Sequence, residues 1–163
     1  MTHFPVRKAA MAAAVSIALL SGCTAAGWVT EAPPAAGTQA ELSSLETARN
    51  MMFVVDETGS GVLLGSITAV DAAEVTGITY AAETKDGALG AQQTIEYTAE
   101  IPRQGAVKLE GPELAVTNPE LTPGRLAAVS IQFAGKGTLD LKIPVYASDH
   151  PDFEEAWKEA AGA

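Results

Sequence analysis

Residues 129–145, VSIQFAGKGTLDLKIPV, hold two runs of alternating apolar and polar residues on either side of a glycine-rich loop. Alternation at every second position is typical of a strand with one face on a core and the other in water. The loop at residues 135–137 is short enough to join two neighbouring antiparallel strands. The stretch therefore predicts a β-hairpin, and it is the strongest hairpin signal in the chain.

Further β-prone runs precede this hairpin and are separated by turn-forming segments. They are residues 51–55 (MMFVV), 62–70, 74–82 and 92–100. No long segment between residues 42 and 147 has the 3.6-residue period of an amphipathic helix. About six to eight short strands over about 105 residues predict an all-β, antiparallel β-sandwich domain spanning residues 42–147.

The C-terminal segment, residues 148–163, has a different pattern. Pro151 suits the first turn of a helix, and Phe153 and Trp157 are one helical turn apart. An isolated helix this short is marginal in water, so it must dock or fray. We expect a short C-terminal helix that docks on the sandwich through its aromatic residues.

The start of the chain is typical of a secretory signal. A short cationic segment is followed by about a dozen apolar residues, too few for a membrane span. The segment ends in Leu20-Ser21-Gly22-Cys23, which resembles a bacterial lipobox. This resemblance implies a signal peptide over residues 1–22, cleavage between Gly22 and Cys23, and a diacylglyceryl group on the sulfur of Cys23. The alternative is a buried free thiol in an uncleaved helix.

The lipobox also predicts where the protein works. Two or more acyl chains hold a small domain stably at a membrane, so we expect an anchor on the extracytoplasmic face of the cell membrane. Residues 23–41, rich in alanine and proline, are predicted to be the lipidated cysteine and a flexible linker. Cys23 is the only cysteine in the chain, so no disulfide is expected within it.

Charge and residue usage exclude several functions. Lys and Arg number 10 against 20 Asp and Glu, a formal net charge of −10, which argues against a nucleic-acid partner. Residues 56–61, DETGSG, resemble the start of a calcium loop, but its twelfth position would be Ile67 instead of a bidentate Glu. A hairpin turn is the better interpretation. A Ser-His-acid hydrolase would need a positioned histidine, and we predict no enzymatic activity.

A family resemblance covers most of the domain. The segment from residue 101 to 146 is similar to the end of the PCu(A)C family of periplasmic copper chaperones. The matching elements are Ile101-Pro102 with Gly105, Leu114, Leu121 with Gly124, and Pro144-Val145. The resemblance implies a cupredoxin-like β-sandwich, so the expected fold class is all-β, a cupredoxin-like or immunoglobulin-like antiparallel sandwich with a short C-terminal helix.

The copper ligands of that family are missing. Its His-x-Met motif falls on Ala115 and Thr117, and its upstream His falls near residues 78–80, where the sequence is Ile-Thr-Tyr. Soft imidazole and thioether groups are the ligands that Cu(I) prefers outside the cytoplasm. The resemblance thus implies the fold without the metal site and without a cofactor.

Met51, Met52 and His150 are the remaining candidates for a divergent copper site. Adjacent residues of a strand face opposite sides, so Met51 and Met52 cannot both chelate one ion. Packing of at least one in the core is favoured over ligation, and His150 is expected to be solvated near the start of the helix.

Together these features predict a lipid-anchored protein with a non-catalytic binding or interaction domain. Its expected partner is a membrane-proximal envelope protein. The alternative is an extracytoplasmic copper chaperone with a divergent or partner-completed Cu(I) site.

Overall fold

The structure is a computed structural model that describes residues 36–43 and 45–161. The predicted signal peptide, the cleavage between Gly22 and Cys23, and the lipidation site lie outside these residues. The described part contains ten strands, one turn of 3-10 helix at Pro112–Leu114 and one α-helix. The strands are β1 (Thr38–Leu42), β2 (Glu46–Val55), β3 (Ser60–Ala69), β4 (Ala73–Ala82), β5 (Gln93–Ile95), β6 (Ala99–Ile101), β7 (Gly105–Leu109), β8 (Ala115–Thr117), β9 (Leu126–Phe133) and β10 (Gly137–Ala147), and the helix is α1 (Glu154–Ala161).

The strands form one continuous, bent sheet in the order β5-β4-β9-β10-β2-β3-β7, with β6 beside β4 and both β1 and β8 added to the β2–β3 part. Strands β4, β5, β6 and β9 form one layer, strands β1, β2, β3, β7 and β8 form the other, and β10 joins them. The rings of Phe53 in β2 and Tyr80 in β4 meet across the layers at 5.0 Å. The predicted all-β sandwich with a C-terminal helix is confirmed, with one exception to its antiparallel pairing: β10 runs parallel to β2.

The hairpin predicted from residues 129–145 is β9 and β10. The two strands pair without interruption from Gly137 opposite Phe133 to Pro144 opposite Leu126. Their alternating apolar side chains are buried in the core, namely Val129, Ile131, Phe133, Leu139, Leu141, Ile143 and Val145. In the loop Gly135 and Gly137 have φ values of 67° and 107°, which a residue with a Cβ adopts only with strain.

Strand β2 is buried on both faces in its C-terminal half, because residues 51–55 are all buried. Phe53, paired with Leu63 of β3, faces the other layer and contacts Tyr80 there. Alternation turns Met52 and Val54 to the opposite face. The helix α1 packs against β3 and the 3-10 turn, and Trp157, with Phe153 just before the helix, packs against the core. The docking expected for the C-terminal helix is therefore confirmed.

Two details of the predicted organisation were wrong. Residues 38–41 were predicted to be linker, but they belong to β1, which pairs antiparallel with β2. Hydrogen bonds from Gly37 N to Asn50 Oδ1 (2.8 Å) and from the Tyr146 hydroxyl to the Ala36 carbonyl (2.7 Å) fix the chain just before this strand. The domain thus begins before residue 42.

The single strand predicted over residues 92–100 is two short strands, β5 and β6. The chain turns between them, where the N–H of Tyr97 donates to the carbonyl of Ile95 at 2.9 Å and the Tyr97 side chain is buried in the core. The free energy gained by burying this aromatic ring exceeds that of continuing a regular strand through Tyr97.

Removal of the Trp157 side chain tests the role of the helix. Trp157 packs against the core and its indole N–H donates to the carbonyl of Ser60 at 3.5 Å. Because the side chain is only partly buried, we expect Trp157→Ala to lower the free energy of unfolding by about 2 kcal/mol. Urea denaturation measures this loss. The neighbouring Lys158→Ala, which removes only a surface pair with Glu154, should cost less than about 0.5 kcal/mol; equal losses would contradict the docking role.

Candidate binding cleft

The predicted copper candidates do not form a common site in the described contacts. Met51 and Met52 are both buried in the core, and the Met51 sulfur occupies the space where a side chain on Gly65 would begin. His150 is 47% exposed, with its Nδ1 3.8 Å from Asp152 Oδ2. Its ring lies 5.1 Å from that of Phe153. The described contacts of His150 are with its neighbours at the start of α1 and with Tyr146, not with either methionine.

The positions that match the family's copper ligands have other roles. Ala115 and Thr117 are exposed on β8, which pairs with the start of β3. Tyr80 is buried between the layers, and this burial raises the pKa of its phenol, an effect that the neighbouring Asn118 side chain opposes. The Asn118 amide nitrogen has no hydrogen-bond partner among the described residues.

The loop at residues 56–61 is the turn between β2 and β3, as predicted. Asp56 Oδ1 accepts hydrogen bonds from the Thr58 hydroxyl (2.6 Å), the Thr58 N–H (2.8 Å) and the Ser60 N–H (3.0 Å). These bonds, with the Thr58 hydroxyl first, lower the pKa of Asp56. The carboxylate therefore stabilises the turn, and no group of three or more His, Cys, Asp or Glu side chains among the described residues is arranged to hold a metal ion.

A cleft opens at one end of the sandwich, where β4, β6 and the β9–β10 turn meet. Its volume is about 490 Å³, within the range of small-ligand sites. Ala72, Ala73, Glu74, Glu100, Ile101, Pro102, Ala134 and Lys136 line it. The cleft combines short apolar walls with three charged side chains.

Two glutamates of the cleft lining stand opposite each other on paired strands. Glu74 of β4 and Glu100 of β6 are directly opposite in the antiparallel register, and both are exposed. Like charges at such positions are destabilising by a few tenths of a kcal/mol or more. The nearby Arg103 does not line the cleft, and it pairs with Asp71 at 3.7 Å.

The ammonium group of Lys136, one of the lining residues, is bound to a buried carboxylate. It donates a hydrogen bond to Oε1 of Glu46, whose side chain is 1% exposed, while the Lys136 side chain is 28% exposed. Oε2 of Glu46 has no hydrogen-bond partner among the described residues. A carboxylate buried this deeply requires a compensating charge, and Lys136 provides it from the tip of the β9–β10 hairpin.

Sequence reasoning missed the whole cleft. Lys136 lies in a Gly-Lys-Gly loop, where a lysine is ordinarily solvated, and Glu46 precedes the first clear apolar run. Ninety residues separate the two partners. No local pattern in the chain could have indicated their contact.

Substitution of Lys136 tests the internal ion pair. Lys136→Met keeps most of the aliphatic stem but leaves the Glu46 carboxylate buried without its counter-charge, so we expect a loss of about 3 kcal/mol in the free energy of unfolding. Chemical denaturation at neutral pH measures it. Lys142→Met, on the exposed face of the same hairpin, should change stability by less than about 0.5 kcal/mol.

A second substitution isolates the charge effect. Glu46→Gln combined with Lys136→Met removes both charges and should recover at least half of the loss. A double variant no more stable than Lys136→Met would contradict the ion-pair interpretation.

Comparison with protein-family models finds no match for this chain, and comparison with curated proteins finds none either. The likeness to copper chaperones therefore stays a prediction from the residues quoted above. Among the described residues, no helix has both the length and the apolar character required to cross a membrane.

Proposed function

We propose that this protein is a lipid-anchored binding protein of the bacterial cell envelope. In this proposal the signal peptide is removed before Cys23, the sulfur of Cys23 carries the lipid, and the β-sandwich binds a partner at the extracytoplasmic face of the cell membrane. The observation that carries the proposal is the sequence Leu20-Ser21-Gly22-Cys23 directly after a cationic start and a short apolar run. The absence of any other cysteine is consistent with a dedicated attachment residue.

The distance between the proposed anchor and the folded domain limits where the partner can lie. Residues 24–37 separate Cys23 from the start of β1 at Thr38. The predicted flexible linker before Ala36 would reach about 20 Å. The proposed partner is therefore at or near the membrane surface, as an envelope protein or a ligand delivered there.

A binding function is favoured over catalysis by the chemistry of the cleft. The lining residues include neither a hydroxyl or thiol nucleophile nor a histidine. Glu74 and Glu100 occupy similar exposed positions on paired strands. A general acid and general base need two different environments that push their proton affinities apart. In this proposal the domain binds its partner and does not transform it.

Expression of the full-length gene in a lipoprotein-processing bacterium tests the anchor. We expect the wild-type protein to fractionate with membranes and its intact mass to correspond to residues 23–163 plus a diacylglyceryl group and an acyl chain. Cys23→Ser should abolish the lipid adduct and release the protein from membranes, because the serine hydroxyl does not replace the thiolate in this modification. Ser21→Ala, a small-for-small change in the same motif, is the matched control and should keep both properties. An unmodified wild-type mass would contradict the proposal.

The alternative proposal, copper delivery through a divergent site, has its own test. Ligation by Met51 or Met52 would require a buried core side chain to leave its packing, and ligation by His150 would require it to leave Asp152. We therefore expect no stoichiometric Cu(I) binding in an anaerobic titration against a competing chelator. Tight binding of one equivalent that is lost in His150→Ala, an exposed position where folding should survive, would favour the copper chaperone instead.

A further inference from the structure

We infer that the aromatic cluster of Tyr146, His150 and Phe153 is a docking site for a segment of the same chain, the proline pair Pro33-Pro34, bound as a short polyproline II stretch. The prolines lie before the described residues, which begin at residue 36. The docking does not depend on the lipid anchor. Where the anchor is present, docking leaves residues 24–32 as the free part of the predicted linker and shortens its reach to about 16 Å.

The first argument is the aromatic cluster itself. The ring of Phe153 lies 5.0 Å from that of Tyr146 and 5.1 Å from that of His150. The rings of Tyr146 and His150 are 6.5 Å apart. The His150 side chain is 47% exposed, and Tyr146 and Phe153 are partly exposed. Neighbouring rings that remain accessible to solvent form the kind of surface on which proline-rich segments pack.

The second argument is the place where the described chain begins. The Tyr146 hydroxyl donates a hydrogen bond to the carbonyl of Ala36 at 2.7 Å, so the first described residue is bound to a member of the aromatic cluster. Gly37 is also held, because its N–H donates to Asn50 Oδ1 at 2.8 Å and a Cβ on Gly37 would lie 2.3 Å from the Asn50 carbonyl carbon. The residues before Ala36 therefore start beside the Tyr146 hydroxyl.

The third argument is the sequence that leads to this point. Pro34 and Pro33 are two and three residues before Ala36, so their Cα atoms lie within about 7 and 11 Å of the Ala36 Cα. A proline fixes its own φ, and the residue before a proline is biased to extended backbone. Residues 32–34 therefore favour polyproline II before they bind, which lowers the entropy cost of docking.

Charge distinguishes this occupant from a membrane surface. Asp149 and Asp152 are exposed close to His150 in the chain, and the first turn of α1 carries two further glutamates. An anionic lipid surface would repel these carboxylates, whereas residues 32–36 carry no charge. The short connection also holds the prolines near the aromatic cluster at an effective concentration in the millimolar range, so that a weak contact is populated.

NMR of the full-length protein, labelled with ¹³C and ¹⁵N and solubilised in a nonionic detergent, tests the docking. We expect nuclear Overhauser contacts between the ring protons of the proline pair and the rings of the aromatic cluster. The amide order parameters of Ala32 and Ala35, which flank the prolines, should exceed about 0.6, because flexible backbone falls below that value.

Two pairs of glycine substitutions separate docking from general linker stiffness. Pro33→Gly with Pro34→Gly should lower the order parameter of Ala35 below about 0.6 and shift the ring signals of the aromatic cluster. Both positions precede the described domain, so the fold should survive. Ala25→Gly with Ala26→Gly adds flexibility elsewhere in the predicted linker and should leave the order parameter and the ring signals unchanged.

A peptide added in trans tests the site without the tether. Acetyl-Ala-Pro-Pro-Ala-amide should shift the ring signals of the proline-free variant with a Kd of about 5 mM. In the wild type the same peptide should bind about threefold or more weaker, because the chain's own prolines compete for the site. Acetyl-tetraalanine-amide is the control probe and should bind neither protein. His150→Ala, made in the proline-free variant at an exposed position, should weaken peptide binding.

Each other outcome overturns the docking. These outcomes are a wild-type order parameter below about 0.6, equal effects of the two glycine pairs, or equal shifts with the proline and alanine peptides. Broadening of the ring signals by a lipid-soluble spin label would show that lipid covers the aromatic cluster instead. Cys23→Ser separates docking from the anchor, because this variant should lose the lipid adduct and keep the contacts of the proline pair. An unmodified wild-type mass contradicts the anchor alone.

Discussion

Burial of both faces of β2 is the constraint on which the rest of the fold depends. A strand whose last five residues are all buried needs cover on two sides. The layer containing β4 and Tyr80 covers the face that carries Phe53, and α1 packs on the neighbouring β3 and on the 3-10 turn. β2 also pairs laterally with β1, β3 and β10. The layer containing β4 cannot be removed without exposing part of this apolar strand to water.

The ion pair between Glu46 and Lys136 is a consequence of the same burial of β2. Glu46 begins the strand that the core requires and is itself buried, so it must be neutralised there. The β9–β10 turn brings Lys136 to it. Because Lys136 is paired with Glu46, it does not neutralise Glu74 or Glu100. The cleft lining therefore carries more negative than positive charge.

Much of the fold could be predicted from local patterns. The β9–β10 hairpin followed from alternation around Gly135 and Gly137, and the docked helix followed from the spacing of Phe153 and Trp157. The strand β1 was missed because its sequence, TQAEL, has little apolar content and is held mainly by pairing with β2. The turn at Tyr97 was missed because the burial of one aromatic ring determines the backbone conformation there, and the local sequence pattern does not show that burial.

The cleft could not be predicted for a different physical reason. That Glu74 lies opposite Glu100 depends on the register of β4 and β6, and the pairing of Glu46 with Lys136 depends on the closure of the whole sandwich. Such contacts arise from topology, so no motif of neighbouring residues encodes them. Met51 and Met52 show the opposite case, in which a local feature of the sequence misleads. Their residue type suggested possible copper ligands, but both side chains are buried in the core.

The direction of β1 has a mechanical consequence. β1 is laid antiparallel along β2 and runs toward the Glu46 end, since Thr38 is opposite Met51 and Leu42 is opposite Glu46. Tension between the N-terminal end of β1 and the Glu46 end of the sandwich would act along the strand axis. The ladder hydrogen bonds would then be loaded in shear, all at once, instead of being unzipped one by one. A domain pulled between its N-terminus and the Glu46 end would thus resist force through the strand pair it begins with.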